Sequence, residues 1–266
     1  MITSKTNRKI KYVRSLYRRL VRHREGRFAI EGVRLIEEMV EAGQEPVFFF
    51  YTETGVANPR AQALVEVLAS LGTEVVPVSE EVMLFMADTK TPQGVLAVAA
   101  FPQIEPVEAE LSLVLDGVRD PGNLGTILRT AEAAGVGEVV TLRGTVDVFS
   151  PKVVRGAMGA HFRLPILEDR SWEEVERSLE QRQILLADAG GGAPYCQVDW
   201  TVPTALIVGG EAHGAGRKAR GFAAERVTIP MQRVVDSLNV AVATGIMLFE
   251  AARQRRAASV AAEDGG

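Results

Sequence analysis

The stretch DPGNLGTILRTAEAAG, Asp120 to Gly135, sets an amide at Asn123 and a guanidinium at Arg129, six residues apart, on a proline-glycine turn that runs into a helical pattern. It follows the apolar run LSLVLD, so both groups fall past the carboxyl end of a strand, where open α/β sheets bind ligands. Two later strand ends are also unusual: Gly209 to Gly216, GGEAHGAG, closing the run TALIVGG, and Ile229 to Asn239, IPMQRVVDSLN, closing RVTIPM. Singly these are weak signals, because glycine-rich turns after strands have ordinary steric causes. GGEAHGAG differs from the dinucleotide fingerprint G-x-G-x-x-G in spacing, and it does not follow a first strand.

The elements that position these groups read as an α/β alternation interrupted once. NRKIKYVRSLYRRLVRHREGRF has Ile10, Val13, Leu16 and Leu20 at helical spacing with basic residues on the other faces, which predicts one amphipathic helix with a phosphate-binding outer surface. EGVRLIEEMVEAG, NPRAQALVEVLASLG (Asn58 as cap, Pro59 at its first position) and SEEVMLFMA read as helices; PVFFFYT, TEVVPVS and GVLAVAAF read as strands. PQIEPVEAE, with two prolines and three acids, marks a linker over 101–108, after a small domain over 1–100. The alternation then restarts over 109–256. Strands are predicted at LSLVLD, GEVVTL, FRLPIL, ILLADA, TALIVGG and RVTIPM. Helices are predicted from LGTILRTAEAAG with Asn123 at its cap, SPKVVRGAMGAH, SWEEVERSLEQRQ with a Ser171–Glu174 capping box, and SLNVAVATGIMLFEAARQRR capped by Ser237. A flexible tail is expected over 257–266.

With 266 residues and 47% hydrophobic content the chain can build a real core. A single cysteine, Cys196, excludes a disulfide framework, and three histidines without metal-ligand spacing point to no metal; Cys196 and His213 read as loop residues. The charged N-terminus lacks an apolar signal core, and the uncharged run Ser237 to Phe249 is too short to cross a bilayer, so a cytoplasmic location is expected. The net charge of −4 hides an asymmetry: residues 1–27 carry ten Lys/Arg and one acid, +9, and the other 239 residues carry −13. Such a basic segment on an acidic chain points to a polyanion, with nucleic acid the usual candidate.

Taken together and in order, DPGNLGTILRTAEAAG, LIVGGEAHG and IPMQRVVDSLNVAVATGIMLFEA resemble the three motifs of the SpoU (TrmH-like) branch of the SPOUT methyltransferases. FAIEGVRLIEEMVEAG and TPQGVLAVAAF look like the small RNA-binding domain that precedes the catalytic domain in many members. The resemblance implies an α/β fold of two domains, the second a SPOUT domain with a trefoil knot formed by about Gly209 to Phe249, which periodicity could not reveal. It implies transfer of a methyl group from S-adenosyl-L-methionine to a ribose 2′-hydroxyl of structured RNA by a homodimer that shares Arg129 or its neighbours across its interface; the separate N-terminal domain, which suits a large folded target, favours ribosomal RNA, with transfer RNA as the alternative. By resemblance Arg129, Asn123, Glu211, Ser237 and Asn239 serve the reaction, while Gly209, Gly210, Ile229, Met231 and Leu238 hold the cofactor. The reaction is a displacement at a sulfonium methyl, so a weakly acidic hydroxyl must be held in line and relieved of its proton. Arginine keeps its proton at neutral pH, so orienting the hydroxyl and offsetting phosphate and alkoxide charge is the role chemistry favours for Arg129. Ala212, Arg233 and Ala241 depart from the motifs, and Arg233 adds a cation that bears on how RNA is held. Two other readings remain: an RNA-binding protein that kept the fold and lost catalysis, and a nucleotide-dependent metabolic enzyme, which would have no use for the basic segment.

Overall fold

The computed structural model describes residues 1–105, 110–211, 214–232 and 237–264. Ala212, His213 and Arg233 therefore lie outside the described residues, as do positions 106–108 of the expected linker.

The basic N-terminal segment is two helices, where periodicity predicts one. Helix α1 (Arg8–Ser15) starts at Asn7, whose side chain accepts from Lys9 N–H, and α2 (Arg19–Glu25) follows a break at Leu16 to Arg18. Ile10, Val13 and Leu16 are fully buried as their spacing predicts, but the break shifts the phase: Leu20 is 86% exposed and Val21 takes the inner position. The break is stabilised by Arg22, buried, whose Nη1 donates to the Leu16 carbonyl at 2.7 Å and satisfies a group that the interrupted helix leaves open.

Strand β1 (Arg27–Glu31), which the sequence reading missed, precedes α3 (Val33–Glu41), β2 (Phe48–Tyr51), α4 (Pro59–Ser70), β3 (Glu74–Pro77), α5 (Glu80–Met86) and β4 (Val95–Ala100). Asn58 caps α4 through Arg60 N–H with Pro59 at the first position, as predicted. The strands form one sheet in the order β1-β4-β2-β3, antiparallel except for β2 with β3. Phe50, Leu96 and Val98 from the sheet meet Ile10, Leu16 and Met83 from the helices in its core.

Compact units comprise Met1–Gln103 with Phe149–Phe162, and Ile104–Val148 with Arg163–Gly266. The break after Gln103 lies in the expected linker, but Phe149–Phe162 groups with the first unit, where the sequence reading assigned it to the second. The cause is an aromatic cluster: Phe149 stacks on Phe101 with ring centroids 3.8 Å apart, and Phe28 packs against Phe149 and Phe162. Helix α7 (Pro151–Ala157) lies in this segment.

The second unit holds β5 (Leu111–Asp116), α6 (Pro121–Ala133), β6 (Glu138–Leu142), β7 (Ile166–Arg170), α8 (Trp172–Ser178), β8 (Gln183–Ala187), β9 (Ala193–Pro194), β10 (Thr204–Gly209), α9 (Arg217–Phe222), β11 (Glu225–Thr228) and α10 (Val240–Asp264). The Ser171–Glu174 capping box is present. Strand β7 lies later than FRLPIL predicts, and β9 and α9 are too short to leave a periodic signal. Residues 257–264 of the expected flexible tail are instead the last part of α10, because the alanine-rich AASVAAED has the propensity to continue a helix already nucleated upstream, and the tail's last two positions lie outside the described residues.

Every pairing in the seven-stranded sheet is parallel, in the order β7-β6-β5-β10-β8-β11-β9. From β5 the chain runs outward through β6 to β7, then returns to build the other side beyond β10. The carboxyl ends of β5 and β10 thus flank the point where strand order reverses, the place such sheets bind ligands. Among the described residues no helix is long and apolar enough to cross a membrane.

Candidate functional site

At that switch point β10 and β5 end side by side, Gly209 opposite Asp116, and Gly210 N–H donates to the Asp116 carbonyl at 2.9 Å. The turns after them are pressed together backbone to backbone. A Cβ on Gly209 would lie 2.0 Å from the Ala215 nitrogen, and one on Gly210 would lie 2.1 Å from the Gly117 carbonyl oxygen. The glycines of GGEAHGAG therefore have a steric cause at these two positions. The Asp116 carboxylate ties the loop back by accepting from Gly216 N–H at 2.7 Å.

Helix α6 is capped by Asp120, not by Asn123 as the sequence reading had it: Asp120 accepts from Asn123 N–H at 2.9 Å, and Pro121 occupies the first helical position. The shift frees the Asn123 side chain. The Glu211 carboxylate accepts from its Nδ2 at 2.8 Å and from the backbone N–H groups of Arg119 and Asp120 at 3.1 and 3.2 Å. A carboxylate only accepts, so Asn123 must turn its nitrogen to Glu211 and its oxygen away. That oxygen accepts from Asn239 Nδ2 at 3.0 Å, and Asn239 Oδ1 in turn accepts from Ala241 N–H at 2.9 Å and Val242 N–H at 3.3 Å. The donors and acceptors leave one consistent orientation for both amides. Among the described residues nothing takes the second N–H of either amide.

Asn239, rather than the expected Ser237, therefore caps α10. Ser237 is exposed two residues earlier.

Burial pushes the Glu211 carboxyl up, but the hydrogen bonds from Asn123 and from the backbone N–H groups of Glu211, Arg119 and Asp120 outweigh it and hold the group below its ordinary 4.5. Glu211 is thus an ionised organiser of the site near neutral pH, and a poor base. A depressed carboxyl contributes stability that is fully present above its ordinary value and is lost as pH falls through the lowered one. Glu211→Gln should accordingly remove part of the stability seen at neutral pH while changing that at low pH little, as pH-dependent melting of the two proteins would read.

Beside this chain lies a cavity of about 510 Å³. Gly209, Gly210, Glu211, Ile229, Met231, Ser237, Leu238 and Asn239 line it, so eight of the ten sequence-predicted positions meet at one place. Asn123 joins them through Glu211 and Asn239. Arg129 does not: it is exposed on α6, outside the cavity lining, and forms no ion pair among the described residues; Glu132, one turn along the same helix, pairs instead with Arg163 at 3.5 Å. Two charged lining residues were missed. Asp188 follows β8 and ion-pairs at 2.9 Å with Arg220, whose Nε donates to the Ala215 carbonyl, so the pair fastens one wall loop to the other. Asp188 stands at a strand's carboxyl end in ILLADA and was readable on that ground; Arg220 sits in the unpredicted α9.

Residues 110–249, which include all of this geometry, match the SpoU rRNA Methylase family. The chain belongs to that family. Residues 7–97 match the MRM3-like substrate binding domain. The 23S rRNA (guanosine(2553)-2'-O)-methyltransferase RlmP of Bacillus subtilis is 32% identical over 93% of this chain and 97% of its own length. The human mitochondrial rRNA methyltransferase 3 is 32% identical over 88% of this chain and 69% of its own. The crystal structure of an AdoMet-bound rRNA methyltransferase from Sinorhizobium meliloti superposes with a TM-score of 0.82 at 32% identity, covering 95% of this chain and 97% of that one. The second unit is thus a SpoU-type α/β domain with a parallel sheet resembling solved SPOUT methyltransferases.

Proposed function

We propose that this chain transfers the methyl group of S-adenosyl-L-methionine to a ribose 2′-hydroxyl of ribosomal RNA. The observation that carries the reading is the hydrogen-bonded chain Glu211–Asn123–Asn239 at the edge of the cavity between the three strand ends. The rRNA-modifying relatives, matched over nearly the whole chain, support ribosomal over transfer RNA.

The cavity suits the cofactor. Its volume lies in the range of about 300–1,000 Å³ typical of small-molecule sites. Ile229, Leu238 and Met231 offer apolar contact for an adenine. When bound, S-adenosylmethionine supplies an electrophilic methyl on a sulfonium. The protein's part is to place a hydroxyl against it. The second N–H groups of Asn123 and Asn239 are pre-oriented donors for the ribose or its phosphate, and no reorganisation is needed when charge develops there. Arg129 would hold the phosphate beside the target ribose and offset the alkoxide. Because Arg129 lies outside its own cavity, we assign it to the site of a second subunit in a homodimer. Val242 and Phe249, 52% and 46% exposed in the first and third turns of α10, supply apolar surface for that contact. The trefoil knot is part of the same reading, supported by the likeness to solved SpoU-type methyltransferases. An enzyme acting on ribosomal RNA in this way would work where ribosomes are assembled, in the cytoplasm.

The test is transfer of labelled methyl from S-adenosylmethionine to total RNA lacking the modification, followed by mapping of the labelled nucleotide. Label on one ribose of ribosomal RNA supports the proposal, label confined to transfer RNA corrects the substrate, and cofactor binding without label on any RNA overturns it.

A further inference from the structure

The first unit carries a surface feature that the cavity chemistry does not use. Arg14, exposed on α1, is held by three contacts. Its guanidinium carbon lies 5.1 Å from the Tyr17 ring centroid and 5.5 Å from that of Phe85, and its Nη1 donates to the Ala87 carbonyl at 3.2 Å. None of these answers its charge. The nearby acids are engaged elsewhere: Asp88 pairs with Arg155 at 2.9 Å, Glu31 accepts from Tyr17 Oη at 3.0 Å and Thr89 Oγ1 at 2.7 Å, and Glu81 pairs with Lys5. Arg14 forms no ion pair among the described residues, and neither do the exposed Arg8, Lys11 and Arg18 of the same segment.

Beside this fixed cation, α5 exposes two apolar side chains in sequence, Leu84 at 55% and Phe85 at 37%. Lys5 Nζ lies 5.8 Å from the Phe85 ring centroid. A long cationic side chain on a surface ordinarily keeps its rotamer freedom, so three contacts that restrain one and leave it uncompensated form a site for an anion with a flat, apolar part. An unpaired nucleotide has both. Its base can stack on an aromatic ring or an arginine plane, and its phosphate answers the charge.

We propose that Arg14 and Phe85 form a stacking site for an unpaired nucleotide of the RNA substrate. The proposal rests on the RNA reading above and adds to it the place and the conformation of one contact: the substrate is gripped there as a splayed single strand, not as a helix. Arg8, Lys11 and Arg18 contribute unspecific phosphate attraction around it.

The test uses the full chain, a fluorescein-labelled twelve-nucleotide oligouridine and a labelled hairpin RNA of equal length, with binding read by anisotropy over a salt series. Arg14→Lys keeps the charge and loses the plane; Phe85→Leu keeps apolar volume and loses the ring. Each should weaken oligouridine binding roughly tenfold, the size of one base stack, with the salt slope and the hairpin affinity unchanged. Arg8→Gln should instead weaken both RNAs alike and reduce the single-strand salt slope by about 0.7. Unchanged melting temperatures keep the variants comparable. If wild type binds the oligouridine and both Arg14→Lys and Phe85→Leu bind it equally well, the stacking site is overturned and the RNA reading survives. If wild type binds neither RNA, the RNA reading itself fails.

Discussion

Arg129→Ala is expected to lower methyl transfer by about 10²–10³-fold, the usual effect of removing one charge-stabilising donor from a reaction centre, while the dissociation constant for S-adenosylmethionine should change less than about twofold. The asymmetry follows from where the side chain stands. Arg129 is exposed on α6 and absent from the cavity lining, so nothing that holds the cofactor is removed with it. The larger consequence concerns which subunit it serves. Glu211→Gln disables the site from the cavity side, since an amide cannot accept from the Arg119, Asp120 and Asn123 N–H groups as a carboxylate does. If Arg129 acts across a dimer, co-refolding equal amounts of Arg129→Ala and Glu211→Gln chains puts one intact site in each heterodimer, and roughly a quarter of wild-type activity returns under random pairing. If Arg129 acts within its own chain, every site in every dimer lacks one group and the mixture stays inactive. Methyl transfer measured before and after mixing separates the two, and a mixture no more active than its components removes the shared site.

What could be read in advance depended on whether the signal was local. The elements of the second unit followed from period-2 and period-3.6 patterning with turns between them, and the three strand ends stood out because they break those patterns with glycine and polar residues. The caps were legible in type and not in position: Asp120 and Asn123 are both good caps, and Pro121, which suits the first helical position, was the clue that favoured Asp120. At α10 the same competition between Ser237 and Asn239 went to the residue whose oxygen reaches two N–H groups. Leu20 misled because one apolar stripe was drawn through a helix that the buried Arg22 interrupts, and no periodicity registers a hydrogen bond to the Leu16 carbonyl. The grouping of Phe149–Phe162 with the first unit depends on rings more than 45 residues apart in sequence meeting, as Phe101 and Phe149 do. Arg129 was found only through the ordered motifs, since an exposed helix arginine carries no signal of its own.

Gly210→Ala tests the geometry that brings the motifs together, and it should be as damaging as any change at the site. The obstacle is space and not conformation: the added Cβ would lie 2.1 Å from the Gly117 carbonyl oxygen and 2.8 Å from its carbon, both backbone atoms that no rotamer change can move aside. One of the two turns must retreat by about an ångström, and each carries part of the site, Glu211 on one and the approach to Asp120 and Asn123 on the other. Overpacking of this kind costs about 1–3 kcal/mol, and in a unit of this size each kcal/mol lowers Tm by roughly 2–4 °C. Gly135→Ala is the matched comparison. It lies just past the end of α6 with φ of +77° and nothing within 4 Å of its added Cβ, so it costs about 1 kcal/mol of backbone strain without touching the cavity. The two variants should therefore melt at overlapping temperatures yet part in calorimetric titration with S-adenosylmethionine, where Gly210→Ala binds more than tenfold more weakly and Gly135→Ala binds as wild type. Equal affinities would mean that the contact between the Gly210 and Gly117 turns holds the fold and leaves the cofactor cavity indifferent to it; a loss confined to Gly210→Ala would tie that backbone crossing directly to the cavity it borders.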